Sequence, residues 1–296
     1  MKRIISTLLL LLTLAGCSNP ANNEEQSGLN IVTTYYPYQL IIEELGGDFV
    51  NVSSIYPQDS DAHSYEVTPA QTIEMQDADL IVITNPEEDS KIYDSLNGKV
   101  EMLILDEDHE DEHEDEHEGE EAEGHFHSHS WLSPEETIEA VDLISSKLTA
   151  LDEANSDAYQ QTTAELIGKL EVIDQSYDDF AATQSKPIIA THDAYSTLAE
   201  QYGIEFVTLY GKHHDDEPTT KEVIDTVELI KSQDIKVIFV EQDDTANPIM
   251  RQIADETSSK VEVLYTLETQ SSRKEFTSIT DLYEYNLEMF KLGQNQ

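Results

Sequence analysis

Six of the chain's ten histidines fall within 21 residues, from His109 to His129. His109, His113 and His117 recur at every fourth position of an acidic run, and His125, His127 and His129 then alternate. Imidazole and carboxylate together suit first-row divalent metals, and imidazole is a good zinc donor. Residues 106–124 hold 13 acids, three histidines and no apolar residue except Ala122. Such a stretch cannot bury a core and is expected to be disordered without metal. Its i, i+4 histidines would line one helix face, but the like charges oppose that helix. Sites here are therefore expected to be weak, several and exposed. A solvated acidic insertion with incidental histidines is the alternative.

Four further positions stand out one at a time. His63 follows an apolar run and precedes Thr68-Pro69-Ala70-Gln71, a capping-box start with proline at the first helical position. His129 precedes Ser133-Pro134-Glu135-Glu136, which repeats the device. His192 stands after the apolar run 187–190, and Glu268 after 261–265. In open α/β sheets ligands bind beyond the carboxyl ends of strands. Three imidazoles and one carboxylate make a nearly closed tetrahedral set for Zn²⁺. Singly, each histidine reads as a turn or cap residue and Glu268 as a surface acid; the joint pattern favours a site.

The elements that must position these residues follow from the apolar patterning. Strand candidates fall at 30–34, 52–56, 80–84 and 102–105, then at 187–190, 205–209, 236–241 and 261–265. Helical patterns lie between most of them, most clearly at 69–75, 221–232 and 248–257. Four strands with crossovers in each half predict an α/β fold of two lobes with mostly parallel four-stranded sheets. Between the halves, residues 134–186 contain one glycine, Gly168, and no internal proline after Pro134. Leu148, Leu151, Tyr159, Leu166, Leu170, Ile173, Tyr177 and Phe180 recur there at helical spacing. A break near 152–156 divides this stretch, leaving a second helix over about 156–183. That helix would join the lobes stiffly, where a Gly/Ser linker would not. The expected division is a 29–150 lobe carrying the acidic insertion 106–128, a linker helix at 151–184, and a 185–296 lobe.

The N-terminus indicates the compartment. Lys2 and Arg3 precede a short apolar run at 4–14, and Leu14-Ala15-Gly16-Cys17 resembles a bacterial lipobox. The expectation is a signal peptide at 1–16, lipidation of Cys17, a small polar tether at 17–28, and a body at the outer face of a bacterial membrane. An ordinary secretory signal with a stray cysteine is the weaker reading, because Cys17 is the only cysteine. No disulfide is then available, so the core must hold the fold. The formal net charge of −46 repels nucleic acid and anionic lipid headgroups.

Taken together, DAHSYEVTP, HSWLSP, THDAYSTLAEQYGI, GKHHDDEPT and YTLET carry a resemblance over about residues 30–292. The body resembles the zinc/manganese cluster of metal-specific solute-binding lipoproteins of bacterial ABC importers. The resemblance implies two Rossmann-like lobes bridged by a long rigid helix, with metal in the cleft between them. It maps the ligands onto His63, His129, His192 and Glu268. A histidine at the third position, His192, and a histidine- and acid-rich loop before the second ligand are zinc-type traits. Two departures stand out. Ser128 replaces the proline often found before the second ligand, so His127 could compete with His129. His213 and His214 lie where histidines are often lacking, and are either a second capture point or a solvated turn.

The leading reading is a monomeric extracytoplasmic receptor that captures Zn²⁺ and delivers it to an ABC permease membrane subunit. Mn²⁺ is the alternative cargo, although it favours oxygen-rich sites. A zinc hydrolase would need an open coordination position and a positioned base. HExxH occurs only inside the acidic run, at 109–113 and 113–117, where like charges oppose the helix the motif needs; outside it, Glu66 and Asp193 are the obvious bases. A surface adhesin is the third class, with no sequence feature behind it.

Overall fold

The computed structural model describes residues 28–56, 65–84, 86, 89–105, 129–210, 218–268 and 276–294. The first half builds one sheet from β1 (Leu29–Thr33), β2 (Val50–Ser54), β3 (Leu80–Ile83) and β4 (Met102–Ile104). The order is β2-β1-β3-β4 and every pairing is parallel, with Leu29 opposite Val50 and Ile31 opposite Leu80. All four residues of β3 are buried. A continuous apolar run such as Leu-Ile-Val-Ile is what a parallel strand covered on both faces requires. Helices α1 (Tyr36–Gly46), α2 (Pro69–Met75) and α3 (Ser90–Leu96) supply the crossovers.

The second half contributes β5 (Ile188–Ala190), β6 (Phe206–Thr208), β7 (Val237–Glu241) and β8 (Lys260–Leu264). They hydrogen-bond as two parallel pairs, β5 with β6 and β7 with β8. β5 lies beside β7, so the four strands run in the order β6-β5-β7-β8. The expected four strands are present; the ladder is interrupted between the two central ones, of which β5 is only three residues long. Helices α6 (Ser196–Tyr202), α7 (Thr220–Ser232) and α8 (Pro248–Thr257) connect them.

Between the halves run α4 (Pro134–Leu151) and α5 (Ser156–Ala181), separated by a 3-10 turn at Glu153–Asn155. The 26 residues of α5 make a rod about 39 Å long at 1.5 Å per residue. Its buried stripe is Tyr159, Thr163, Leu166, Leu170, Ile173, Tyr177 and Phe180. The alternating three- and four-residue steps keep that stripe on one face. Leu151 departs from the expected pattern: it is exposed because α4 ends there. Asp152 closes the corner, accepting from Asn155 and from the Tyr159 hydroxyl.

α5 packs against α4 and α1 on the first-half side and against α6 and the C-terminal helix α9 (Ile279–Gln294) on the other. One apolar core therefore runs from Ile31 and Val82 through Leu166 and Tyr177 to Phe239 and Phe290. A smaller core, including Ile189, Ile230, Ile238 and Ile253, sits under α7 and α8.

Candidate metal centre

His129, His192 and Glu268 converge. Each is buried, and one ligand atom from each lies within 4.8 Å of the other two. The first comes from ahead of α4 and the others from beyond β5 and β8, so both halves contribute. His63, His109, His113, His117, His125, His127, His213, His214 and Cys17 lie outside the described residues.

His192 stands two residues beyond β5 and Glu268 four beyond β8, past the carboxyl ends of two strands of the second half. His129 is positioned differently from the expectation. It lies 25 residues past the end of β4, so a helix start places it and not a strand end. A 3-10 turn at Ser130–Leu132 begins at once, with Leu132 N–H donating to the His129 carbonyl at 2.9 Å. Ser133 then caps α4, its hydroxyl accepting from the Glu136 amide, with Pro134 at the first helical position. The constraint that a preceding proline would supply is thus imposed from the following side. The capping box at Thr68–Gln71 is also formed in both directions, at 3.0 and 3.3 Å.

His129 itself has φ 68°, and Leu267, beside Glu268, has φ 57°. Left-handed backbone at a residue other than glycine costs on the order of 1–3 kcal/mol and persists only where its surroundings enforce it. Both ligand segments are enforced by Trp131. Its indole N–H donates to the Thr266 carbonyl at 2.7 Å, joining the two halves. From α9, the Tyr283 hydroxyl donates to the Trp131 carbonyl at 2.6 Å. Gln242 fixes Thr266 in turn, accepting from its amide at 2.9 Å and donating to its hydroxyl at 3.1 Å.

The donor atoms are already close. His129 Nε2 lies 2.6 Å from Glu268 Oε1, a direct hydrogen bond, and the rings of His129 and His192 are 5.2 Å apart. Tetrahedral Zn²⁺ with bonds of about 2.0–2.2 Å separates its ligand atoms by roughly 3.3 Å. An ion entering here would replace the His129–Glu268 hydrogen bond and part the two atoms by about 0.7 Å.

His192 Nδ1 lies 2.8 Å from Glu241 Oε1. Glu241 ends β7 and is buried, yet stands outside the converging set. Sequence reasoning missed it, although an acid closing the apolar run Val-Ile-Phe-Val occupies the same strand-end address as the candidate ligands. Burial first, then the charges of Glu241, the Tyr177 hydroxyl and Glu268, hold the Tyr195 hydroxyl well above the usual phenol range. The two candidate bases have other surroundings: Glu66 is exposed and pairs with Lys91 at 3.4 Å, and Asp193 is not in the converging set.

Residues 1–18 match the prokaryotic membrane lipoprotein lipid attachment site, which places the chain, lipid-anchored, at the outer face of the membrane. The zinc-binding lipoprotein AdcA of Streptococcus pneumoniae is 29% identical over 315 aligned positions, covering 100% of this chain and 62% of that relative. This chain thus spans less than two thirds of the pneumococcal protein's length. The high-affinity zinc uptake system protein ZnuA of Bacillus subtilis is 27% identical, with 97% and 95% covered. Among solved structures, the Zn(II)-bound ZnuA-like domain of pneumococcal AdcA superposes with a TM-score of 0.74 at 27% identity, covering 91% of this chain and 100% of that domain. The family model for ZnuA, zinc-uptake complex component A, periplasmic, matches residues 31–292, and the chain belongs to that family.

Proposed function

We propose that the protein is an extracytoplasmic receptor that captures Zn²⁺ between its two halves and delivers it to an ABC permease for uptake. The observation that carries this is the convergence of His129 with His192 and Glu268 from opposite halves. His63, from the first half, is the fourth ligand in this reading. Two carboxyl-end loops of the second half, with His63 and one helix start of the first, then grip a single ion. Three imidazoles and a carboxylate fill a tetrahedral shell and leave no position for an activated water, which suits holding rather than hydrolysis. A solute-binding receptor is what the family supplies, and the chain is no enzyme in this reading.

Zinc rather than manganese follows from the donor set. Mn²⁺ prefers carboxylate and carbonyl oxygen, whereas a nitrogen-rich site suits zinc. The pneumococcal and Bacillus relatives are named for zinc. Elemental analysis of the purified protein, with calorimetric titration of Zn²⁺ against Mn²⁺, tests the reading. One tight equivalent of zinc that manganese displaces poorly is expected; preferential retention of manganese would reverse the assignment.

A further inference from the structure

On the reading that His192 holds the ion, we propose that Glu241 is a positioning residue for the cargo site. Its carboxylate keeps the His192 ring in the tautomer and orientation that present Nε2 to the metal. The observation is the 2.8 Å contact between Glu241 Oε1 and His192 Nδ1, with the histidine wholly buried and the acid 5% exposed.

An ionised carboxylate can only accept a hydrogen bond. A ring nitrogen facing it must therefore carry a proton, which leaves Nε2 with its lone pair in the neutral imidazole. Without such a partner, either ring nitrogen of a buried histidine can carry the proton, and the ring can turn about its side-chain bonds. Metal-bound histidines generally donate their second N–H to a carboxylate or carbonyl, which orients the ring and raises its basicity. Glu241 does not duplicate Glu268, because it is absent from the set whose ligand atoms meet.

The backbone makes Glu241 a firm support. It is the last residue of β7, paired opposite Leu264 of β8. The next residue, Gln242, holds Thr266 by two hydrogen bonds, and Thr266 receives the Trp131 indole N–H. Two successive residues at one strand end thus serve different ligands. Glu241 orients His192, while Gln242 steadies the segment that carries Glu268 and leans on His129.

The test compares Glu241→Ala, Glu241→Gln and Gln242→Ala in the whole protein, with Zn²⁺ as the probe. Zinc affinity is measured by chelator competition, and two-bond ¹H–¹⁵N spectra of the zinc-loaded protein identify the ring nitrogen of His192 that holds the ion. Glu241→Ala should weaken zinc binding about 10–100-fold and lose exclusive Nε2 coordination. Glu241→Gln fills the same space and can either accept or donate, so its affinity should fall between Ala and wild type. That variant also covers the case in which the Ala protein fails to fold. Gln242→Ala should leave His192 bound through Nε2. Affinity within twofold of wild type in Glu241→Ala, with Nε2 still coordinated, overturns the proposal, as does a Gln variant no better than the Ala variant. Zinc affinity unchanged in His192→Ala would instead remove the site reading itself.

Discussion

Replacing His192 by Ala separates two contributions that the structure places on one ring. The ring is fully buried and bonded through Nδ1 to Glu241. Its loss removes a ligand, which should weaken zinc binding at least ~10-fold, or about 1.4 kcal/mol. It also strips a hydrogen-bond partner from a buried carboxylate, which costs about 1–3 kcal/mol whether or not zinc is present. The two effects part in a melting experiment. Free zinc at about 100 times the wild-type Kd stabilises the folded form by about 2.7 kcal/mol, and a tenfold weaker site retains about 1.4. At roughly 2–4 °C per kcal/mol, zinc should raise the wild-type Tm by about 5–11 °C and that of the variant by about half as much. With EDTA, the variant should still melt below the wild type, because the Glu241 term does not depend on metal. Differential scanning calorimetry in zinc-buffered and EDTA-containing solution measures both. A variant whose zinc-induced shift equals that of the wild type refutes a role for His192 as ligand.

Trp131 is the only tryptophan, and its ring lies 5.3 Å from that of His129; its emission should change with Zn²⁺ and saturate at one equivalent, while Co²⁺ in the same site should quench it. Emission indifferent to both ions would put the tight site elsewhere. His192→Glu should shift preference toward Mn²⁺, since the proposed set becomes two imidazoles and two carboxylates; an unchanged margin for zinc in competition titration would show that this position is not the selector. Deleting residues 107–124 should leave the tight site intact, remove additional weaker zinc equivalents, and slow loading at low zinc or high salt. Identical stoichiometry and loading rate in the deletion would mean that the stretch collects no metal.

The eight strands were legible because each is a short apolar run bounded by turn residues, and the core demands such runs. His192 and Glu268 were legible for a related reason: each follows its strand within a few residues, so the strand brings it to the carboxyl edge. His129 was expected beyond a strand end as well, but its helix cap, Ser133-Pro134, is what places it. Glu241 was missed because it closes an apolar run without a histidine or turn signature to mark it. Trp131 reads in sequence as an ordinary core aromatic. Its contact with Thr266 joins positions 135 residues apart, and no local pattern encodes that separation. The interruption between β5 and β7 was equally invisible, since strand adjacency without a closed ladder is decided by tertiary packing.

The proposed receptor must also release what it holds, and the division of its ligands bears on how. His192 and Glu268 belong to one half, His129 to the other, and a continuous core through α4, α5 and α9 ties the halves together. Wholesale separation of the lobes would break that core. Movement confined to the ligand segments would not. Those segments hold left-handed backbone at His129 and Leu267, worth on the order of 1–3 kcal/mol each and sustained by their surroundings. The Trp131–Thr266 and His129–Glu268 hydrogen bonds tie them together. Loosening both contacts would let the two segments relax toward ordinary backbone as the ligands part.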